Sequence, residues 1–160
     1  LYQMDARNIP FKNEFDVIGA FDVLEHIEED EKVISQMYKA VKIGGGVIIT
    51  VPQHRFLWSK VDEEACHVRR YSVKEIVLKI EKQGFKVCKK TSFISIIFPF
   101  MVLSRIISKL SKTQVASENE FRIGKALNYF FEKILDFERF LIRKGVSFPF
   151  GGSLLIIAKK

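Results

Sequence analysis

The sequence predicts an α/β fold: strands of a mostly parallel sheet, an antiparallel last strand and a helical insertion near the C-terminus. Three observations carry this. Phe15–Phe21 and Val47–Val51 are short apolar runs of the kind that form strands covered on both faces, and a helical pattern joins them. Two such strands with a helix between them make a right-handed crossover, which requires parallel pairing. The last run, Ser153 to Ala158, is a further apolar strand after a turn at Phe148–Gly152.

Taken in order, Leu1–Met4 reads as the end of a strand, and Asp5–Phe11 as a loop. After Phe15–Phe21 the chain turns acidic, with Asp22, Glu25, Glu28, Glu29 and Asp30 around His26, as suits the positive end of a following helix. Val33, Ile34, Met37, Tyr38 and Val41 recur at helical spacing. Gly44-Gly45-Gly46 is expected to stop that helix, and Pro52 to end the second strand. Gln53 to Tyr71 is a long polar loop holding His54, His67 and the single tryptophan, Trp58. Loops of that length within a domain are usually functional. Ser72-Val73-Lys74-Glu75 reads as a capping box opening a helix to about Gln83, with Ile76, Val77 and Ile80 inward. Gly84 closes it, and Phe85–Lys89 alternates as a half-buried strand does.

Phe93 to Leu110 is strongly apolar, yet Ser95, Ser104 and Arg105 interrupt it well before the roughly 20 residues a membrane span needs. Ser111 to Glu120 is polar. Phe121 to Arg143 is a helix with the stripe Ile123, Leu127, Phe130, Phe131, Ile134 and Leu141, ended by Gly145. Two readings of the insertion stay open. Its apolar residues could pack on Phe130, Phe131 and Ile134 as a two-helix cap, or they could lie on an anionic membrane surface.

Composition narrows the class. With 48% hydrophobic residues the chain is not disordered, and two cysteines are too few for a disulfide framework. A reducing, cytoplasmic setting is expected, possible contact with a membrane surface included. The 26 basic and 19 acidic residues give a net charge of +7. Lys82 to Ser117 contains seven basic residues and no acid, so this window carries the whole excess. An anionic membrane is therefore a candidate partner, and nucleic acid is not expected.

Asp5-Ala6-x-x-Ile9-Pro10-Phe11, Phe15-Asp16-Val17-Ile18 with Val23-Leu24-Glu25-His26, Val41-Lys42-Ile43-Gly44-Gly45, Arg69-Arg70-Tyr71-Ser72 and Gly84-Phe85 occur in this order. Together they resemble class I S-adenosylmethionine-dependent methyltransferases of the small-molecule type, over roughly Leu1 to Phe93 plus the final strand. The resemblance implies a Rossmann-like sheet, with residues 1–96 and 147–160 as its C-terminal part and 97–146 as a helical cap. The glycine-rich loop after that family's first strand is absent, so its first two strands are expected upstream of Leu1.

The resemblance further implies methyl transfer from S-adenosylmethionine to a small or lipid-linked acceptor. The alternative is a non-catalytic α/β module that binds a membrane surface or a nucleotide. Asp5 and Ala6 would meet the adenine, while Ala20, Phe21 and Asp22 would run beside the methionine part of the cofactor. His54, Asp62 and His67 are the candidate bases, needed where the acceptor carries a proton. Arg69 and Arg70 could grip an acidic acceptor bidentately, and Trp58 and Tyr71 either line its pocket or anchor the loop. In some related enzymes the acid-x-x-Glu-His elbow, here Asp22, Glu25 and His26 with His67 downstream, binds a divalent metal. In others it only caps the helix. The metal is the lesser expectation.

Overall fold

The computed structural model describes residues 3–110 and 124–160. Four strands form one sheet, β1 (Phe15–Phe21), β2 (Val41–Pro52), β3 (Lys86–Phe93) and β4 (Ser153–Lys159), in the order β1-β2-β4-β3. β1 and β2 are parallel, and β4 runs antiparallel between β2 and β3. Between the strands lie α1 (Asp30–Ala40), the short α2 (Lys60–Glu64) and α3 (Val73–Lys82). Two longer helices, α4 (Phe98–Leu110) and α5 (Lys125–Arg143), separate β3 from β4.

One face of the sheet is the core. Ile18 and Ala20, Val47 and Ile49, and Ile156 and Ala158 alternate toward it. They pack against Val33, Ile34 and Met37 of α1 and Ile76 and Ile80 of α3. The opposite face carries Val17, Phe21, Ile48, Thr50, Leu155 and Ile157 by the same two-residue alternation. α5 crosses part of it, with Lys89 Nζ of β3 donating to the Ile142 carbonyl at 3.2 Å. Val17 and Phe21 stay exposed, at 58% and 60%.

The glycine triplet differs from expectation. α1 ends at Ala40, and β2 runs from Val41 through all three glycines. The pairing with β1 jumps from Phe15↔Val41 to Val17↔Gly46, so the extra residues bulge outward. A Cβ on Gly45 would lie 2.6 Å from the Asp16 carbonyl oxygen, and one on Gly46 2.5 Å from that of Ala158. These glycines permit close strand approach.

The loop from Gln53 to Tyr71 is also more ordered than its polarity suggests. It holds a 3₁₀ turn at Arg55–Leu57 and α2, opened by a reciprocal capping box between Ser59 and Asp62. The expected box at Ser72 is half present. Ser72 Oγ accepts from the Glu75 amide at 3.2 Å, but the Glu75 side chain pairs with Arg55 at 2.9 Å.

Among the described residues the two-helix cap is only partly packed, with Phe131 and Ile134 half-buried. Phe100, Leu103, Ile106 and Ile107 of α4 and Phe130 of α5 are all exposed. The joint runs instead through Glu138 of α5, whose buried carboxylate accepts from the Ser95 and Ile96 amides at 2.8 and 2.9 Å. No helix among the described residues is long and apolar enough to cross a membrane. The expectations for Leu1–Tyr2, the polar tract 111–120 and the helix start at 121–123 lie outside the described residues.

Candidate active site

The carboxyl ends of β1 and β2 meet the Gln53–Tyr71 loop, where ligands of such sheets collect. Two anchors fix the loop there. The Val68 amide donates to the Glu25 carbonyl at 2.7 Å. Tyr71 is fully buried, and its hydroxyl lies 2.8 Å from Asp30 Oδ2 and 3.1 Å from the Leu24 carbonyl oxygen. Asp30 also pairs with Arg69 at 2.9 Å and with Lys79. Burial alone would raise the Asp30 carboxyl, but Lys79, Tyr71 and Arg69 hold it below its ordinary value. Tyr71 therefore anchors the loop.

The loop delivers His67, Asp62 and Arg70 to one place. Asp62 is fully buried, its Oδ1 2.9 Å from His67 Nδ1 and 2.7 Å from Arg70 Nε. Its Oδ2 accepts from the Ser59 amide at 2.9 Å. Burial pushes this carboxyl up, yet Arg70 and His67 outweigh it and keep the group ionised. Asp62 is therefore placed to orient His67, with its other ring nitrogen turned from the ion pair.

Glu25 completes the arrangement. It is fully buried, and neither carboxylate oxygen has a hydrogen-bond partner. Loss of water drives its pKa from 4.5 to about 7, with Asp22 adding to the rise and His67 and Arg70 opposing it. One ligand atom each from Glu25, His26 and His67 fall within 4.8 Å of one another. The two imidazoles stand edge to face at 4.7 Å. Asp22 is not in that group. It adopts φ 51°, its amide lies 3.1 Å from both the Thr50 carbonyl oxygen and Oγ1, and it lines the same cavity.

That cavity has a volume of about 300 Å³. Asp22, Glu25, His67 and Arg70 supply its polar wall, and Pro52, Ile94, Met101, Gly152 and Ser153 the rest of its lining. That remainder was not legible in the sequence, because Ile94 and Met101 read there only as part of an apolar run.

The remaining candidates are spread out. His54 (φ 64°) sits among Phe56, Phe98 and Phe150, at ring distances of 5.1, 5.2 and 6.4 Å. Its Nε2 is buried without a partner, and desolvation lowers its pKa. Trp58 Nε1 donates to Glu63 at 3.3 Å. Trp58 lines an outer cleft of about 500 Å³ with Arg55, Val68, Arg69 and Arg70. At the other end of the site, Arg7 holds both Asp5 oxygens, from Nη2 at 2.7 Å and Nε at 3.0 Å, and keeps the Asp5 pKa at about 2. Ala6 is half-buried against the core, Ala20 is buried at the end of β1, and Phe21 is exposed.

Comparison with known proteins agrees with this architecture. Residues 1–49 match a family model described as "Methyltransferase domain". Over 39 residues the chain is 46% identical to phosphoethanolamine N-methyltransferase 2 of Caenorhabditis elegans, a stretch covering 24% of this chain and 9% of that protein. Among solved structures, a methyltransferase of Bacillus halodurans C-125 superposes with a TM-score of 0.58 at 17% identity, covering 100% of this chain and 76% of that one. Phosphoethanolamine N-methyltransferase 2 of Haemonchus contortus, in complex with S-adenosyl-L-methionine, gives 0.55 at 18%, over 98% of this chain and 36% of that one. The [4+2]-cyclase SpnF gives 0.54 at 18% identity, over 98% of this chain and 55% of that one. The family match rests on residues 1–49, and beyond it the chain shares the fold of these structures, consistent with a class I S-adenosylmethionine-dependent methyltransferase. The chain spans about a third to a half of the length of the H. contortus and SpnF chains, and 9% of the C. elegans relative.

Proposed function

We propose that the protein transfers a methyl group from S-adenosylmethionine to a proton-bearing nitrogen or oxygen of a small or lipid-linked acceptor held in the Glu25–His67 cavity. The supporting observation is the pairing of His67 Nδ1 with the buried Asp62, beside an unpartnered Glu25, at the carboxyl end of the sheet. S-adenosylmethionine supplies a methyl on a sulfonium, and the carbon–sulfur bond breaks as the acceptor's lone pair attacks. Asp62 holds His67 in the tautomer with Nδ1 protonated, so Nε2 takes the proton the acceptor loses. Positioning by Arg70 and the apolar wall supplies the rest. Asp22 favours an acceptor that arrives cationic, such as an ammonium, which would give its proton to His67 Nε2 before the freed lone pair attacks.

On the cofactor side, Asp5 and Ala6 take the adenine, and Ala20, Phe21 and Asp22 flank the methionine part. Arg7 already donates to both Asp5 oxygens from its amide, Nε and Nη2, so an adenine amino group would have to displace one of these contacts.

A second reading rests on the same cluster. Glu25, His26 and His67 make a mixed carboxylate and imidazole donor set, which fits Mn²⁺, Fe²⁺ or Zn²⁺ better than Mg²⁺. Asp62 behind His67 is the partner a metal-bound histidine usually has. A cation there would polarise an acceptor oxygen.

Transfer of label from methyl-labelled S-adenosylmethionine tests the proposal, with phosphoethanolamine and phosphatidylethanolamine as first acceptors beside broader amine and hydroxyl sets. Calorimetric binding of the cofactor with label transfer supports it. Cofactor binding with no label transfer to any of these acceptors overturns it.

A further inference from the structure

We propose that the acceptor is an amphiphile whose apolar chain lies in a second cavity, under α5, while its reactive end reaches Glu25 and His67 past Ile94. This deepens the methyl-transfer reading and rests on it. The second cavity measures about 450 Å³ and is lined by Thr50, Phe93, Ile94, Leu135, Ile142 and Leu155. That falls within the roughly 300–1,000 Å³ of ordinary small-molecule sites.

The two cavities adjoin on one face of the sheet. Thr50 pairs with Leu155, and Pro52, two residues on, pairs with Ser153. The first pair lines the apolar cavity, and the second lines the polar one. Ile94 belongs to both walls. It is also a β-branched residue at φ 59°, where such residues are outliers. Conformations of this kind persist when their surroundings impose them, and they gather at ligand clamps. Gly152 packs directly against this wall, since a Cβ there would lie 3.1 Å from Met101 Cε and 3.5 Å from Ile94 Cβ.

The chemistry of the two compartments is opposed. The polar cavity presents carboxylates, an imidazole and a guanidinium. The apolar one offers aliphatic and aromatic carbon, and the single buried acid beside it, Glu138, is already bonded to the Ser95 and Ile96 amides. Arg139 and Arg143 also line it, with the stems of such side chains able to lie along apolar surface. A wholly polar acceptor would leave this cavity without a use, whereas one alkyl chain joined to a polar end matches both.

The test is fluorescence titration of the whole protein with dansyl-undecanoate below its micelle concentration, without cofactor or turnover. Saturable one-to-one binding is expected, weakened about tenfold or more in Leu135→Trp and in Ile142→Phe, and unchanged in Leu127→Trp on the exposed part of α5. Melting curves by circular dichroism confirm that a variant is folded, and either cavity-filling variant suffices. The His67 imidazole proton resonance should shift as the probe saturates. Binding that is non-saturable, or equal in the filled and control variants, overturns the chain site. An unmoved His67 resonance overturns the link between the cavities. Absence of methyl transfer alters none of these readings, so failure of the parent proposal is seen separately.

Discussion

Glu25→Gln should stabilise the protein at alkaline pH and do progressively less as pH falls. The Glu25 carboxyl is buried with both oxygens unpartnered, and its pKa is raised from 4.5 to about 7. Between those values the folded protein keeps a proton that the unfolded chain gives up. Stability associated with neutral Glu25 is therefore fully present below pH 4.5 and lost as pH rises through 7. At 1.36 kcal/mol per pKa unit, the loss amounts to about 3 kcal/mol above pH 7. Glutamine has nearly the same shape and does not titrate, so the variant's stability should lack this slope. Urea unfolding of both proteins across the pH range, in EDTA to keep cations out, gives the difference. Asp30 and Asp62 are both held below their ordinary values, so they titrate below this window. Curves that stay parallel from acid to alkaline pH would refute the reasoning.

Three further outcomes follow from other parts of the structure. Asp62→Asn leaves the largely covered Arg70 guanidinium without its buried carboxylate, and should cost about 3 kcal/mol in chemical denaturation. Gly151→Ala should destabilise far more than Gly44→Ala: its Cβ would lie 2.3 Å from the Phe93 carbonyl oxygen, whereas Gly44 has open space and only a positive φ, worth about 1 kcal/mol. Removal of divalent cations by EDTA should leave methyl transfer unchanged if His67 works as a base, while activity restored by Mn²⁺ or Zn²⁺ would favour the cation reading of Glu25, His26 and His67.

Much of the sheet was legible because its signals are local. The apolar runs at Phe15, Val47 and Ser153–Ala158 each name a strand without reference to distant residues. The role of the glycine triplet was not, since a turn and a close strand approach make the same demand on sequence, and only the positions of Asp16 and Ala158 tell them apart. At the site, His67 and Glu25 stood out as ionisable groups in an elbow and a loop. Their partnership with Asp62 and Arg70 depends on how α2 folds the loop back. The buried Glu138 left one faint mark, a lone acid within the apolar surface of a helix, but its amide partners lie more than forty residues upstream.

The most direct test of the account is the turnover of His67→Ala with a competent acceptor, measured beside its affinity for S-adenosylmethionine. Loss of about tenfold or more in kcat with unchanged cofactor affinity is the predicted result. Turnover equal to that of the unmodified protein would contradict it.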